Sequence, residues 1–383
     1  MKKNMRKWFN KIIVLATSLT LLTPCFSGCE GEKNPTDAQK TEIKNVIIII
    51  GDGMGFEHIA AGEMYESAKY MFPNWTQTAV NTDSTDGNNL VLTDSAAGGT
   101  AIATGVLTKN GYVGKNPSGE DLETVLDLAK SLNKSTAVIT TDKLYGATPA
   151  SFSAHSLSRD YTNEIVESQI RTSNVDILCG TYSNTCNGYL SLIEEYGYDY
   201  CADFSQVDET LDKNKLYWQF DLAGTEATVE LCDVVEKALT VLERDQDGFV
   251  MMIEQAYIDK YSHNNEILGT VKSVKSLNET VELVMRWKGT RKDTAVLITA
   301  DHETGGLSVS ESKMDGYQSW ATGYGKKVYY RYETANHTRA SIGLFVHGVK
   351  PNFASYDTYQ DEALIKNIET NQIIEKIIKN QTV

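Results

Sequence analysis

Short apolar runs that end at a polar or acidic residue recur along the chain and restrict the fold more than any other feature. Four of these runs lead to Asp52, Asp142, Glu254 and Asp301. Segments with helical periodicity, such as residues 120–132, lie between them. Such alternation is typical of a parallel sheet covered by helices. The sequence therefore predicts an α/β fold, a three-layer sandwich whose largely parallel central sheet carries helices on both faces.

The acidic residues fall where such folds bind ligands, beyond the carboxyl ends of the strands. Segments 176–220 and 308–335 interrupt the alternation and are rich in Tyr, Asn, Gly and Cys. We interpret both as insertions over the active-site edge of the sheet. A chain of 383 residues can bury a large core in one elaborated domain, which we place at residues 44–383.

The N-terminus has the pattern of an export signal. Basic residues precede the apolar run 12–22, which is too short to favour a membrane-spanning helix. The sequence from Phe26 to Cys29 resembles a lipoprotein cleavage site, although Phe replaces the usual Leu. We predict a signal peptide at 1–28, a lipid on Cys29 and a flexible tether over 29–43, so that the protein is exported to the periplasm or cell surface. Ordinary cleavage nearby, leaving a soluble protein, is the alternative.

The net charge limits the choice of partners. The whole chain carries a formal charge of −15, and removal of the basic leader would leave about −20. Nucleic acids and anionic surfaces are therefore poor partners for this protein. An anionic substrate would need a locally positive site.

Four cysteines follow the leader, namely Cys179, Cys186, Cys201 and Cys232. An even number in an exported chain predicts one or two disulfides. A cysteine zinc site is the alternative, but the sequence has no Cys-x-x-Cys spacing to support it.

Asp52 and Ser95 are candidate functional residues because each lies at a predicted end of a strand or helix. Asp52 lies in the glycine-rich stretch Gly51–Gly55, where it is either a turn residue or a carboxylate facing the strand ends. The glycine spacing excludes a dinucleotide loop. Ser95 precedes a run of small residues and is either a helix cap or a nucleophile assisted by the helix dipole and free amides.

A helical pair and a strand end offer metal ligands. Asp259 and His263 are four residues apart and so share one helix face, as two ligands of one ion must. By spacing alone they could equally be an ordinary surface pair. Glu254, at the end of an apolar strand, adds a hard oxygen ligand that suits magnesium.

Half of the histidines lie in acid-bearing loops. Asp301 and His302 come directly after an apolar strand, and His337 precedes the apolar run 342–346. The chain has six histidines, of which three lie in such loops. This bias favours metal binding over core packing.

Five motifs, in this order, resemble the alkaline phosphatase family along residues 45–349. They are Asp94-Ser95-Ala96-Ala97, Ala147-Thr148-Pro149-Ala150, the segment from Ala154-His155 to Ser158-Arg159, the segment from Ile258-Asp259-Lys260 to His263, and Thr299-Ala300-Asp301-His302-Glu303-Thr304-Gly305-Gly306.

The resemblance implies hydrolysis of phosphate monoesters at a site with two zinc ions and one magnesium ion. Ser95 would be the covalent nucleophile, while Arg159 would clamp two phosphate oxygens and Lys260 would help to bind substrate. It also implies a possible homodimer. The ligand sets would be Asp52, Ser95, Asp301 and His302 for the zinc beside the nucleophile, Asp259, His263 and His337 for the second zinc, and Asp52, Thr148 and Glu254 for magnesium.

The chain departs from the family pattern at Gly146, where bacterial and animal relatives usually carry Asp or His. We therefore expect a weak magnesium site and a Lys260 without its acidic neighbour, free to approach bound phosphate. Tyr145 or a water filling the gap is the alternative.

Two other classes of function are alternatives: a sister activity of the same fold, and binding without catalysis. Sulfatases, phosphodiesterases and phosphate mutases share the fold that the resemblance implies. A lipoprotein that binds phosphate without turnover is the candidate from another class. The intact Ser95 argues against pure binding, which needs no activated nucleophile.

Overall fold

The computed structural model describes residues 42–356 and 364–383. The predicted signal peptide, Cys29 and most of the tether lie outside these residues. Within them, no helix has the length and apolar composition needed to cross a membrane.

The strands are β1 (Asn45–Gly51), β2 (Thr76–Asn81), β3 (Ser84–Thr85), β4 (Leu90–Val91), β5 (Ser135–Thr140), β6 (Ile177–Thr181), β7 (Asp199–Cys201), β8 (Leu216–Phe220), β9 (Phe249–Gln255), β10 (Thr294–Thr299), β11 (Glu303–Thr304), β12 (Ser308–Ser310), β13 (Gln318–Ala321), β14 (Lys327–Arg331), β15 (His337–Thr338), β16 (Ile342–His347) and β17 (Leu364–Lys366). The helices are α1 (Phe56–Glu66), α2 (Ser95–Thr104), α3 (Val125–Ser131), α4 (Ala147–Ser153), α5 (Thr162–Arg171), α6 (Asn184–Asn187), α7 (Leu190–Glu195), α8 (Leu231–Leu242), α9 (Tyr257–His263), α10 (Ile267–Lys288) and α11 (Asn367–Ile378).

Ten strands form the central sheet in the order β17-β2-β16-β10-β1-β9-β5-β6-β8-β7. Within the described part, β16 runs antiparallel to its neighbours and the other nine strands run in one direction. Every residue of β1, β9 and β10 is buried, as expected for strands covered on both faces. The predicted α/β sandwich with a largely parallel sheet is confirmed.

Two groups of helices cover the sheet. Helix α10 packs against α1 and α8 and contacts β1 and β9, whereas α2, α3, α4 and α11 form the second group. Leu277 of α10 and Ile374 of α11 are both buried in the main core. Because these layers are firmly packed on the sheet, the loops at its carboxyl edge start from rigid strand ends.

The segment 176–220, which we interpret as an insertion, contains strands of the central sheet. Strands β6, β8 and β7 extend the central sheet at one end, because the runs Ile177–Thr181 and Leu216–Phe220 are fully buried and long enough for one strand each. Segment 308–335 instead forms the separate sheet β12-β14-β13. Trp320 and Val328 of this sheet are buried against Ala61 of α1.

The four cysteines of the described chain, Cys179, Cys186, Cys201 and Cys232, are all free. The prediction of disulfides among them is therefore wrong for this structure. Cys179 and Cys201 both pair in register with Trp218 of β8, from opposite sides, so a whole strand separates the two thiols.

Candidate active site

The candidate site lies where the central parallel strands end. Asp52 follows β1, Glu254 lies near the end of β9, and Asp301 and His302 follow β10. Asp142 follows β5, the next strand beyond β9. Since these strands are adjacent and parallel, their polar ends meet at one edge of the sheet.

Ser95 is the first residue of helix α2. The helix begins there because Asp94 caps it, accepting a hydrogen bond from the Ala97 amide at 3.0 Å. A Cβ on Gly98 would lie 2.7 Å from the carbonyl oxygen of Asp301, so the small residue permits the helix to touch the loop after β10. This contact brings Ser95 Oγ to 3.1 Å from His302 Nε2.

Backbone carbonyls fix the tautomers of two histidines. His263 Nδ1 donates to the Ala335 carbonyl at 2.6 Å, and His337 Nδ1 donates to the Thr93 carbonyl at 2.9 Å. Because a carbonyl only accepts, each Nδ1 carries the proton, and a neutral ring has its lone pair on Nε2. The two Nε2 atoms are 3.1 Å apart, and they lie 3.2 and 3.7 Å from Asp259 Oδ1. This convergence of lone pairs fits a metal ion.

A hydroxyl fixes the third histidine. Thr304 Oγ1 donates to Asp259 at 2.5 Å and lies 3.2 Å from His302 Nδ1. Since its one proton goes to Asp259, the hydroxyl accepts from His302 Nδ1. The lone pair of His302 Nε2 therefore faces the space beside Ser95.

Buried carboxylate oxygens surround that space. Asp52 Oδ1 and Asp301 Oδ2 have no hydrogen-bond partner among the residues that the structure describes, and they lie 3.6 and 3.2 Å from His302 Nε2. Burial, together with the charges of Asp301, Asp259 and Glu254, raises the pKa of Asp52 well above its usual value. Unpaired buried carboxylates are costly, and a cation would satisfy both orphaned oxygens.

Ligand-type atoms converge in two overlapping groups. One contains Asp259, His263 and His337, and the other contains Asp52, Asp259 and His302; within each group, the ligand atoms lie within 4.8 Å of one another. The first group has the membership predicted for the second zinc. The other group combines Asp52 and His302, which are predicted for the zinc beside the nucleophile, with Asp259, which is predicted for the second zinc.

Side-chain oxygens lie near the second carboxylate oxygen of Asp52. Thr148 Oγ1 lies 3.5 Å from Asp52 Oδ2, and Glu254, which is buried, accepts a short hydrogen bond from Thr140. Burial, together with the negative charge of Asp142, raises the pKa of Glu254 to about 8. This set of hard oxygens is the kind that magnesium prefers.

Arg159 reaches the site from the loop after α4. Its Nη1 donates to Asp94 Oδ2 at 3.2 Å, and the same oxygen accepts from the Gly111 amide. The cap of α2 thus also orients the guanidinium. Arg159 remains partly exposed, so its other donors are available to an anion.

The expectation that Lys260 lacks an acidic neighbour is wrong. Lys260 Nζ lies 2.5 Å from Asp142 Oδ1. Asp142 is four residues before Gly146 in the chain, but its carboxylate reaches the space beside that glycine. Sequence reasoning noticed that a strand leads to this acid yet assigned it no role, because the family pattern directs attention to position 146.

Two further residues were missed. Asp94 was read only as part of a motif, and Thr304 only as part of a loop, although they orient Arg159 and His302 respectively. Their contacts join segments far apart in the sequence. No local pattern could have revealed either role.

Comparisons with known proteins identify the family of the chain. The family model described as alkaline phosphatase matches residues 43–185 and 213–377. Alkaline phosphatase 3 of Bacillus subtilis is 31% identical over 344 residues, covering 82% of this chain and 73% of that protein. Alkaline phosphatase 4 of the same organism is 30% identical over 337 residues, covering 81% and 72%. The structure of alkaline phosphatase from the Antarctic bacterium TAB5 matches with a TM-score of 0.75 at 22% identity, covering 89% of this chain and 99% of that one.

Proposed function

Because the chain belongs to the alkaline phosphatase family, a family of metal-dependent phosphomonoesterases, we propose that it hydrolyses phosphate monoesters through a covalent phosphoserine at Ser95. The observation that carries this proposal is the position of Ser95 Oγ, 3.1 Å from His302 Nε2 and beside the orphaned oxygens of Asp52 and Asp301.

The first step is attack on phosphorus. The Ser95 hydroxyl loses its proton and its oxygen forms a bond to phosphorus while the bond to the ester oxygen breaks; the departing oxygen gains a proton and leaves as the alcohol. Arg159, held by Asp94, binds two nonbridging phosphate oxygens with its planar donors. Water then attacks the phosphoserine, releasing inorganic phosphate and restoring the serine hydroxyl.

The residues present fit two zinc ions and one magnesium ion. Asp52, Ser95, Asp301 and His302 would hold one zinc, Asp259, His263 and His337 the other, and Asp52, Thr148 and Glu254 the magnesium. When bound, these ions supply positive charge that lowers the pKa of oxygen nucleophiles and stabilises the leaving oxygen. The same charge allows an acidic protein to capture a dianionic phosphate.

The test compares three chromogenic esters. Purified protein should hydrolyse p-nitrophenyl phosphate far faster than bis(p-nitrophenyl) phosphate or p-nitrophenyl sulfate. Ser95→Ala should abolish this turnover while retaining the fold, with zinc still held by Asp52, Asp301 and His302. Acid quenching with radiolabelled monoester should trap label on Ser95. A diester or sulfate preference would identify a sister activity, whereas phosphate binding without turnover would identify a binding protein.

For localisation, we propose export and a lipid on Cys29, supported by the leader sequence alone. Mass spectrometry of the mature N-terminus tests this, since an unmodified start elsewhere would contradict it.

We further propose a homodimer, supported by the family resemblance. Light scattering of the purified protein gives the mass that decides between one copy and two.

A further inference from the structure

We propose that Asp142 is a positioning residue that links Lys260 to the magnesium ligands, and that position 146 is glycine because the Asp142 carboxylate occupies the space of its side chain. This inference rests on the proposed function. It replaces the expectation that Gly146 leaves the site one acid short.

The first support is steric. A Cβ on Gly146 would lie 2.8 Å from Asp142 Oδ2 and 3.0 Å from the Lys143 carbonyl oxygen, so a side chain there would have to displace the Asp142 carboxylate. The backbone of Gly146 has φ −55° and ψ 152°, a conformation open to any residue. The backbone therefore does not require glycine here, and the reason for it is space.

The second support is that Asp142 is held in place. Its amide donates to Thr140 Oγ1 at 2.8 Å, and the Thr140 hydroxyl donates to Glu254. Its carbonyl accepts from the Thr181 amide at 2.7 Å. Asp142 is thus tied to β6 on one side and, through one hydroxyl, to a magnesium ligand on the other.

The third support is the arrangement of Lys260. Its ammonium lies 2.5 Å from Asp142 Oδ1 and 4.7 Å from the centre of the Tyr257 ring. The carboxylate holds the cation at the rim of the site and partly neutralises it. We infer that Asp142 limits how strongly Lys260 binds phosphate and offers an acceptor to waters around magnesium.

The test measures binding rather than turnover. In a zinc-loaded Ser95→Ala background, magnesium affinity is measured by calorimetry and phosphate affinity by equilibrium dialysis with radiolabelled phosphate. Asp142→Asn should weaken magnesium binding by roughly 10–100-fold, the usual cost of losing an outer partner of a metal ligand. Phosphate should bind more tightly, because Lys260 is released from its counterion.

A relocation experiment tests the steric argument. Gly146→Asp alone should weaken magnesium binding, because its side chain collides with the Asp142 carboxylate and displaces it. Combining Gly146→Asp with Asp142→Gly should recover much of the affinity lost in Asp142→Gly, since one carboxylate again fills the shared space. Asp176→Asn, which changes an acid beside Lys130 on another surface, is the matched control.

The outcomes separate the two proposals. If wild-type protein hydrolyses monoesters but Asp142→Asn binds magnesium and phosphate as the parent does, the role of Asp142 is overturned and the function stands. If Gly146→Asp alone tightens magnesium, the steric argument is overturned. Should Asp142→Asn fail to fold, the same two affinities are measured in Lys260→Gln, which should weaken phosphate binding without removing the Asp142 carboxylate; unchanged phosphate binding would contradict the role assigned to the pair.

Discussion

The histidine side of the site, formed by Asp259, His263, Asp301, His302 and His337, is built differently from the oxygen side, formed by Asp52, Asp142, Thr148 and Glu254. On the histidine side, each ring is oriented by a hydrogen bond that its Nδ1 donates. On the oxygen side, the oxygen atoms come from residues at or after strand ends and at the start of α4.

This difference indicates on which side a donor atom can be supplied from another position in the chain. An imidazole offers its lone pair in one direction, so the histidine side depends on fixed orientation. Carboxylates reaching from rigid strand ends can approach a common point from several chain positions. The shift of the acid from position 146 to Asp142 is therefore understandable on the oxygen side.

The largest effect is expected from breaking the histidine side. His302→Ala should lower kcat/KM for a monoester on the order of 10³-fold, the scale for losing a major electrostatic stabiliser. Zinc content, measured by atomic emission, should fall with it. His347→Ala is the matched control, because His347 ends the antiparallel strand β16 opposite Val296 and so lies away from the carboxyl end of β10. Normal zinc content in His302→Ala would contradict its assignment as a ligand.

The next largest effect is expected on the oxygen side. Glu254→Gln keeps the shape of the side chain but removes its charge, so magnesium affinity should fall by roughly 10–100-fold. Excess magnesium should restore most of the activity, whereas it should not rescue His302→Ala. Glu375→Gln on α11, which changes a partly exposed acid paired with Lys379, is the control. Equal rescue of both site variants would remove the distinction between the two sides.

The positions of the acids at strand ends can be predicted from the sequence, but some contacts around them cannot. Acids at strand ends follow from the fold class, since parallel strands finish at one edge, and Asp52, Glu254 and Asp301 lie there as expected. The pairing of Lys260 with Asp142 did not follow, because it depends on how the loop after β5 folds back. The strands β6, β8 and β7 were also missed, since runs of five residues or fewer give little periodicity.

A smaller effect is expected from loosening a histidine without removing it. Thr304→Val deletes the hydroxyl that donates to Asp259 and accepts from His302. Zinc affinity should fall by about 10-fold, the lower end of the range for outer partners of a metal ligand. Thr240→Val, whose hydroxyl bonds only a carbonyl of its own helix, is the control. Unchanged zinc affinity would show that packing alone orients His302.

The smallest effect is expected on the thermal stability of the metal-free protein and concerns the oxygen side. We expect a change of a few degrees in Tm. Burial and the charge of Asp142 raise the pKa of Glu254 from 4.5 to about 8. A carboxyl with a raised pKa favours the folded state while it is protonated, so this stability is complete below pH 4.5 and is lost as the pH rises through about 8.

Chelated Glu254→Gln, which stays neutral, should therefore gain Tm over the chelated wild type, and the gain should increase as the pH rises across this interval. Thermal melts at successive pH values measure it. With metals bound, the carboxylate has cations beside it and the order should reverse, the wild type becoming more stable than Glu254→Gln. A gain that does not change with pH in the chelated pair would mean that Glu254 is already ionised in the empty site, with Lys260 and Thr140 stabilising its charge.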